Sequence, residues 1–208
     1  MVVREETRPD EGARSTPRVF RDAVAQMNTA RLRPELFVEQ MPAPQRIAPY
    51  AAALSADVTV SGEDVATGRL ILLHDPAGND AWGAIGPDTG TFRLVAYARA
   101  EVEAEVAVDP MLTRVGWSWL LEALEAHGAA FGAASGTVTR VATESFGAMA
   151  DEETSAQLEV RASWTPLSSA DLASHVEAWG ELLCTAAGLE PVPEGVALMP
   201  SRRGQRGA

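Results

Sequence analysis

Residues 109–128 read DPMLTRVGWSWLLEALEAHG and carry the strongest helix signal in the chain. Asp109 is a good N-cap, Pro110 suits the first helical position, and Gly128 suits a left-handed residue after the last turn. When successive side chains are placed about 100° apart, apolar residues cover a wide side and polar residues a narrow one. We therefore expect this helix to be covered from two directions, by a sheet beneath it and by another helix or a second subunit beside it.

Strand patterns lie on both sides of this helix. Residues 92–108 alternate between apolar and polar side chains, which predicts a strand long enough to need a bulge or bend near Ala100. Residues 61–68 are expected to form a turn. Shorter strands are predicted at residues 36–41, 54–60, 69–74, 137–146 and 157–164, and further helices at residues 16–28 and after Ser168.

Together these elements predict an α+β fold. We expect an antiparallel sheet of five to six strands with helices packed on it, in the order α-β-β-β-α-β-β-α. A single domain is predicted for residues 16–190. It would lie between a disordered tail of residues 1–15 and a flexible tail of residues 191–208 that is rich in Pro and Gly and has a basic tip.

The charge of the chain restricts its partners. The formal net charge is -12 over 208 residues, which argues against direct nucleic-acid binding because such binding depends on basic side chains that neutralise phosphates. All 17 basic residues are arginines. The absence of lysine excludes Schiff-base lysines, phosphate-binding lysines of the Walker and kinase types, and Ser–Lys dyads.

Cysteine content and hydropathy indicate the compartment. A single cysteine, Cys184, can form no internal disulfide and cannot by itself anchor a thiolate metal site. The first residues lack the apolar core of a signal peptide, and no later run approaches the roughly 18 apolar residues of a membrane span. We therefore expect a cytoplasmic protein with no membrane partner, and we assign no cofactor, metal ligand or catalytic residue.

The loop after the apolar run of residues 69–74 is unusually long for a hairpin connection, and long loops often serve function. It contains His74, Asp75 and Asp80, and Trp82 is expected to fold back and hold the loop in place. We favour turn chemistry for these side chains, because Asp, Asn and Gly commonly serve turns. The alternative is a functional site beneath residues 74–82.

Other candidate side chains have a structural explanation that we favour. Glu101, Glu103 and Glu105 are expected to share one solvated strand face and to prevent wrong strand pairing. Cys184 is expected to be a small packing residue on the last helix, because nothing around it in the sequence predicts an activated thiol. Neither feature predicts catalysis.

Two segments could bind a partner. A proline-rich connector contains Arg33, Arg46 and Tyr50, and we favour a strap across the core over a partner-binding strap. Trp117 and Leu121 widen the apolar side of the helix within residues 109–128, so they could face a second subunit.

Five segments resemble an actinobacterial family known only as the domain of unknown function numbered three thousand. They read PELFVEQMPAPQRIAPYA, GRLILLHDPAGNDAW, RLVAYARAE, DPMLTRVGWSWL and SHVEAW. The resemblance implies no activity, cofactor or catalytic residue, and members are often encoded near a ribonuclease D-like exonuclease. The order of elements is also similar to that of type III secretion chaperones, which implies a dimeric, acidic and non-catalytic protein.

These observations favour a non-enzymatic, chaperone-like binding or adaptor protein that forms a homodimer and binds an unknown protein partner. One alternative is a small enzyme with a site under residues 74–82. Another is a regulator of an RNA-processing partner through protein contact. The candidate partner-binding residues are Arg33, Arg46, Tyr50, His74, Asp75, Trp82, Trp117 and Leu121.

Overall fold

A computed structural model describes residues 16–83, 90–151 and 155–190. Both predicted tails lie outside these residues. Two single-turn 3-10 helices occur, at Asp80–Trp82 and Gly147–Met149. The other elements, in chain order, are α1 (Arg18–Met27), β1 (Leu36–Met41), β2 (Tyr50–Val60), β3 (Glu63–His74), β4 (Phe92–Val102), α2 (Ala104–Ala107), α3 (Leu112–Ala126), β5 (Phe131–Thr143), β6 (Ser155–Pro166) and α4 (Leu172–Ala186).

The six strands form one antiparallel sheet in the order β1-β2-β3-β4-β6-β5. The first four strands pair with their neighbours in sequence, whereas β6 pairs with β4 and leaves β5 at the edge. The predicted α+β class and the order of its main elements are confirmed, and α2 is an additional short helix between β4 and α3.

The long helices pack on one face of this sheet. A Cβ atom added at Gly68 of β3 would lie 3.0 Å from the Trp179 ring of α4. One added at Gly136 of β5, on the same face by strand register, would lie 2.7 Å from the Trp117 ring of α3. The opposite face of the sheet carries none of the long helices described above, and side chains such as those of Arg69 and Arg99 are exposed there.

Helix α4 lies between α1 and α3, and 11 of its 15 residues are buried. Helix α4 and the sheet therefore cover α3 from two directions, as predicted. Gly128 has the predicted left-handed conformation, with φ of 65°. The start of α3 differs from the predicted one. The Asp109 carboxylate accepts a hydrogen bond from the Met111 amide, but α3 itself begins only at Leu112. None of the described helices is long and apolar enough to cross a bilayer.

The prediction of one strand over residues 92–108 is wrong. Strand β4 ends at Val102, and the Glu103 carbonyl then accepts hydrogen bonds from the amides that open α2. The Arg140 side chain of β5 donates to the carbonyls of Ala107 and Asp109, which satisfies the C-terminal end of this short helix. Because Glu103 precedes α2 and Glu105 lies within it, the expected carboxylate face shared with Glu101 does not form.

Other strand boundaries also differ from the predicted ones, and the starts of β3 and β5 differ most. The turn expected over residues 61–68 consists only of Ser61 and Gly62, with φ of 55° and 95°. A two-residue turn with both φ angles positive matches the twist of a hairpin, so β3 begins at once at Glu63. Strand β5 begins at Phe131 rather than at residue 137, because pairing with β6 draws a segment of small residues into the sheet.

Candidate functional site

The face of the sheet opposite the long helices, which we call the open face, carries a cavity of about 960 Å³. Outward-facing positions of β3, β4, β5 and β6 supply most of its walls, as the alternation of side chains along a strand requires. The lining residues are Thr67, Arg69, Ile71, Val95, Ala96, Tyr97, Arg99, Ser135, Gly136, Thr137, Arg161, Ala162 and Ser163.

Strand register collects three arginines and one tyrosine in this cavity. Arg69 of β3 lies opposite Tyr97 of β4, and Tyr97 lies opposite Arg161 of β6. Since neighbouring strands are about 4.8 Å apart, Arg69 and Arg161 are separated by about 10 Å on either side of Tyr97. Arg99 is a diagonal neighbour of both, at a distance of about 7–8 Å. We call Arg69, Tyr97, Arg99 and Arg161 the arginine face.

One carboxylate contacts the arginine face. The Arg161 guanidinium lies 3.1 Å from Glu159, and the Tyr97 hydroxyl donates a 3.2 Å hydrogen bond to the same carboxylate. The Arg161 guanidinium also lies 5.5 Å from the centre of the Tyr97 ring, in cation–π geometry. Burial raises the pKa of Tyr97, and Glu159 raises it further, so this hydroxyl remains a proton donor at neutral pH.

Arg69 and Arg99 differ from Arg161. Neither forms a hydrogen bond or an ion pair with any residue that the structure describes. Both side chains are exposed on the open face. Their guanidinium groups therefore retain donors that can bind an external anion.

The row of residues next to the arginine face, which we call the floor of the cavity, is apolar on one side and carries hydroxyl groups on the other. Ile71 lies opposite Val95, and Val95 lies opposite Ser163. Ser163 in turn lies opposite Ser135 at the edge of the sheet. A ligand in this cavity would meet two aliphatic side chains and two hydroxyl groups within one row of residues.

A buried arginine closes one end of the open face. Arg93 of β4 is only 7% exposed, and burial lowers its pKa. Its guanidinium donates to the Thr165 hydroxyl at 2.9 Å, to the Ser163 hydroxyl at 2.7 Å and to the Ala133 carbonyl at 3.0 Å. The Trp82 carbonyl accepts hydrogen bonds from both Arg93 and Thr165. Arg93 thus joins the loop at Trp82 to β5 and β6.

The structure does not bring His74 and Trp82 together. The His74 ring lies on the helix side of the sheet, stacks 4.2 Å from Phe92 and lies 5.9 Å from Tyr50. Its Nδ1 donates a 2.8 Å hydrogen bond to the Thr91 carbonyl, and burial lowers its pKa, so the imidazole is neutral. The Trp82 carbonyl, in contrast, reaches Arg93 and Thr165 on the open face.

Asp75 takes part in the turn that follows β3. Its carboxylate accepts a 3.0 Å hydrogen bond from the Ala77 amide, and its own carbonyl accepts one from the Gly78 amide. This is the turn chemistry that we favoured for the loop. In the part of the chain that the structure describes, no three His, Cys, Asp or Glu residues are grouped so as to hold a metal ion.

The proline-rich connector is held by Arg33. Its guanidinium lies 3.2 Å from Glu35 and donates a 2.7 Å hydrogen bond to the Glu190 carbonyl, after α4. Burial alone would raise the pKa of Glu35, but the hydrogen bond from Arg33 holds it below its ordinary value. These contacts favour a strap across the core over a partner-binding strap. Arg46 is exposed, with φ of 69°, and Tyr50 packs 5.8 Å from the Phe20 ring.

Trp117 and Leu121 lie on α3 and are both half-buried. The Trp117 ring packs over Gly136 of the edge strand, where a Cβ atom would collide with it. Trp117 therefore lies over β5 at the edge of the sheet, and Leu121 follows one helical turn later on α3. Coverage of these two residues by a second copy of the chain stays a prediction.

The alternation of residues 157–164 and of the first part of residues 92–108 predicts outward positions for Arg161 and Arg99, but it does not single them out. Arg69 opens an apolar run, which predicted burial rather than the exposed position that this residue has. The available signal was three arginines within predicted strands of a chain of net charge -12. Their proximity depends on the pairing of β4 with β6, which no local pattern reveals.

Comparisons with known proteins identify a family only. A family model described as "Protein of unknown function (DUF3000)" matches residues 16–197. No curated protein and no solved structure matches the chain.

Proposed function

The chain belongs to the DUF3000 family of proteins of unknown function, and from its open sheet face we propose that it is a non-enzymatic protein that binds an anionic ligand. The observation that carries this proposal is the clustering of Arg69, Arg99 and Arg161 around one cavity of an otherwise acidic chain. Arg is the side chain best suited to bind carboxylates and phosphates through paired hydrogen bonds.

The electrostatics of the cluster support this proposal. Arg99 is a diagonal neighbour of both Arg69 and Arg161, so the guanidinium groups repel one another, and the contacting carboxylate of Glu159 compensates only part of their charge. A bound anion would relieve this repulsion. Because the overall charge of -12 repels anions at long range, short-range contacts with the arginine face would have to supply the affinity.

A binding role agrees better with this cavity than catalysis does. The raised pKa of Tyr97 makes its hydroxyl a poor base, and no histidine lines the cavity among the described residues. His74 and Asp75, the centre of the alternative enzyme hypothesis, are engaged in packing and in a turn. Cytoplasmic location and regulation of an RNA-processing partner stay predictions.

The proposal is tested by titrating the protein with three anions of different kinds, namely inorganic phosphate, citrate and a hexaglutamate peptide. Isothermal calorimetry on wild type and on the double variant Arg69→Gln/Arg99→Gln measures the affinity. We expect at least one anion to bind wild type and to lose about tenfold or more in affinity in the double variant.

The matched control is Arg114→Gln. Arg114 is exposed on α3, away from the cavity, and this substitution removes one positive charge, half of what the double variant loses. We expect its affinities to equal those of wild type. If no anion binds, or if binding is the same in the double variant, the arginine face is not an anion-binding site.

A further inference from the structure

We propose that the ligand of the arginine face is a phosphate monoester carried on a small organic molecule with an apolar or aromatic body. This inference rests on the proposed function and narrows it to one chemical class. Four observations support it. They are the charge of the three arginines, the position of the two arginines without a described partner, the chemistry of the floor beside them, and the closed end of the open face.

The charge of the cluster matches a dianion. Arg69, Arg99 and Arg161 bring three positive charges, and Glu159 is the carboxylate in contact with them. Arg69 and Arg99 form no ion pair with a described residue, although Glu159 lies opposite Arg99 and Asp57 is a diagonal neighbour of Arg69. A phosphate monoester carries a charge of about -1.5 to -2 at pH 7, whereas a monocarboxylate carries half of that.

The two arginines without a described partner are placed to share one phosphate. Arg69 and Arg99 are diagonal neighbours on β3 and β4, about 7–8 Å apart. Two long side chains at this spacing can converge on a single group above the sheet. Planar guanidinium forks donate paired hydrogen bonds to phosphate oxygens, and a phosphate has enough oxygens to accept from both.

The residues of the floor indicate the chemistry of the part of the ligand that lies outside the phosphate. Ile71 and Val95 lie two residues from Arg69 and Tyr97 along their strands, which is about 7 Å. An apolar or aromatic group attached to the phosphate would cover them. On the other side of this row, the hydroxyls of Ser135 and Ser163 can donate to polar groups of the ligand.

The closed end of the face favours a small molecule over a polymer. The network of Arg93, Thr165 and the Trp82 carbonyl occupies the next row of outward residues, so the cavity is not a groove open at both ends. An extended peptide or nucleic-acid strand that followed β4 would meet this network. The cavity volume of about 960 Å³ lies within the range of about 300–1,000 Å³ that is typical of small-molecule sites.

The test uses phenyl phosphate as the probe, with benzoate, inorganic phosphate, hexaglutamate and a uridine hexamer as comparators, in calorimetry at pH 7.5. We expect phenyl phosphate to bind at least about tenfold more tightly than benzoate, because the dianion satisfies both free arginines. Inorganic phosphate should bind more weakly than phenyl phosphate, because it lacks the ring. Arg69→Gln and Arg99→Gln should each cost about tenfold, and Arg114→Gln should cost nothing.

The pH dependence supplies a second readout. The monoester gains a proton near pH 6, so its affinity should fall several-fold between pH 7.5 and pH 5.5, whereas that of benzoate should not. Ile71→Ser should weaken phenyl phosphate and leave inorganic phosphate unchanged. A variant that had lost its fold would bind neither ligand, so this difference shows that the substitution removes only the apolar contact.

The outcomes separate the inference from the proposed function. If benzoate, hexaglutamate or the uridine hexamer binds at least as tightly as phenyl phosphate and depends on Arg69 and Arg99, the phosphate monoester is wrong and the anion site stands. If no probe shows binding that depends on these arginines, both proposals are wrong.

Discussion

The Arg93 guanidinium of β4 donates a 2.9 Å hydrogen bond to the Thr165 hydroxyl of β6, and both groups donate to the Trp82 carbonyl. One buried cation therefore ties a loop to two strands that are far apart in sequence. The described acceptors of Arg93 are carbonyls and hydroxyls, and those such as the Ala133 carbonyl would lose this donor if the side chain were removed, whereas the Trp82 carbonyl would keep Thr165.

We expect Arg93→Met to lower the free energy of unfolding by about 3 kcal/mol, because buried acceptors such as the Ala133 carbonyl would lose their donor. Equilibrium denaturation in urea measures this loss. The matched control, Arg69→Met, removes an exposed arginine and should change stability by less than about 0.5 kcal/mol. Equal stability of the two variants would contradict a structural role for Arg93.

Gly68 lets α4 approach the sheet closely. A Cβ atom at this position would lie 2.8 and 2.9 Å from two methyl carbons of Leu183 and 3.0 Å from the Trp179 ring. We expect Gly68→Ala to destabilise the protein by about 1–3 kcal/mol in urea denaturation, because α4 is packed tightly here. Thr67→Ala, at the next residue on the open face, should have little effect, and a stable Gly68→Ala would show that α4 can shift.

Local patterns predicted the helix-covered half of this molecule well. Leu158, Val160, Ala162 and Trp164 alternate along β6 and are all buried under the helices, as their period of two requires. The fold class follows from such patterns and from the end signal of α3 at Gly128. These features depend on neighbours within a few residues, which a sequence displays directly.

The candidate site depends on long-range pairing and could not be predicted in the same way. Arg161 faces Tyr97 only because β6 crosses to lie beside β4, and a sequence does not state this register. Arg93 is one polar residue among several in the alternating pattern of residues 92–108, and nothing local indicates that its guanidinium is buried and bonded to the Trp82 carbonyl. The same alternation therefore predicted which face these residues occupy and left open what they contact.

Cys184 should be chemically inert in the folded protein. Its side chain is fully buried, and burial raises the pKa of its thiol to about 12. At pH 8 the reactive thiolate is therefore about a thousandfold rarer than for an exposed cysteine. We expect a disulfide reagent such as Ellman's reagent to label one thiol at once in denaturant and none on the same timescale in native buffer. Fast native labelling would contradict the packing role.

Homodimer formation remains to be measured. Exposed apolar side chains gather where α3 begins, with Val108 72% exposed, Met111 49% and Val115 37%. We expect light scattering at micromolar concentration to give twice the chain mass of 22.0 kDa. Val115→Glu should shift the protein toward the monomer, whereas Arg114→Gln beside it should not. A strict monomer in wild type would make the dimer prediction wrong.

Acid should destabilise the protein through His175, which accepts a 3.1 Å hydrogen bond from the Trp164 indole at its Nδ1. Burial lowers the pKa of His175 from 6.5 to about 4. Between these values the unfolded chain binds the proton and the folded chain does not, so stability is lost as the pH falls below 6.5. We expect His175 to lower the free energy of unfolding by about 2 kcal/mol between pH 7 and pH 5. His74, whose pKa is also lowered by burial, adds a loss of the same sign. Urea denaturation at both pH values measures the total.

The control variant His175→Asn keeps an acceptor for the Trp164 indole without a titrating ring. Its loss of unfolding free energy between the two pH values should be smaller than that of wild type by about 2 kcal/mol. An unchanged pH dependence in this variant would show that His175 is not the group that titrates on unfolding.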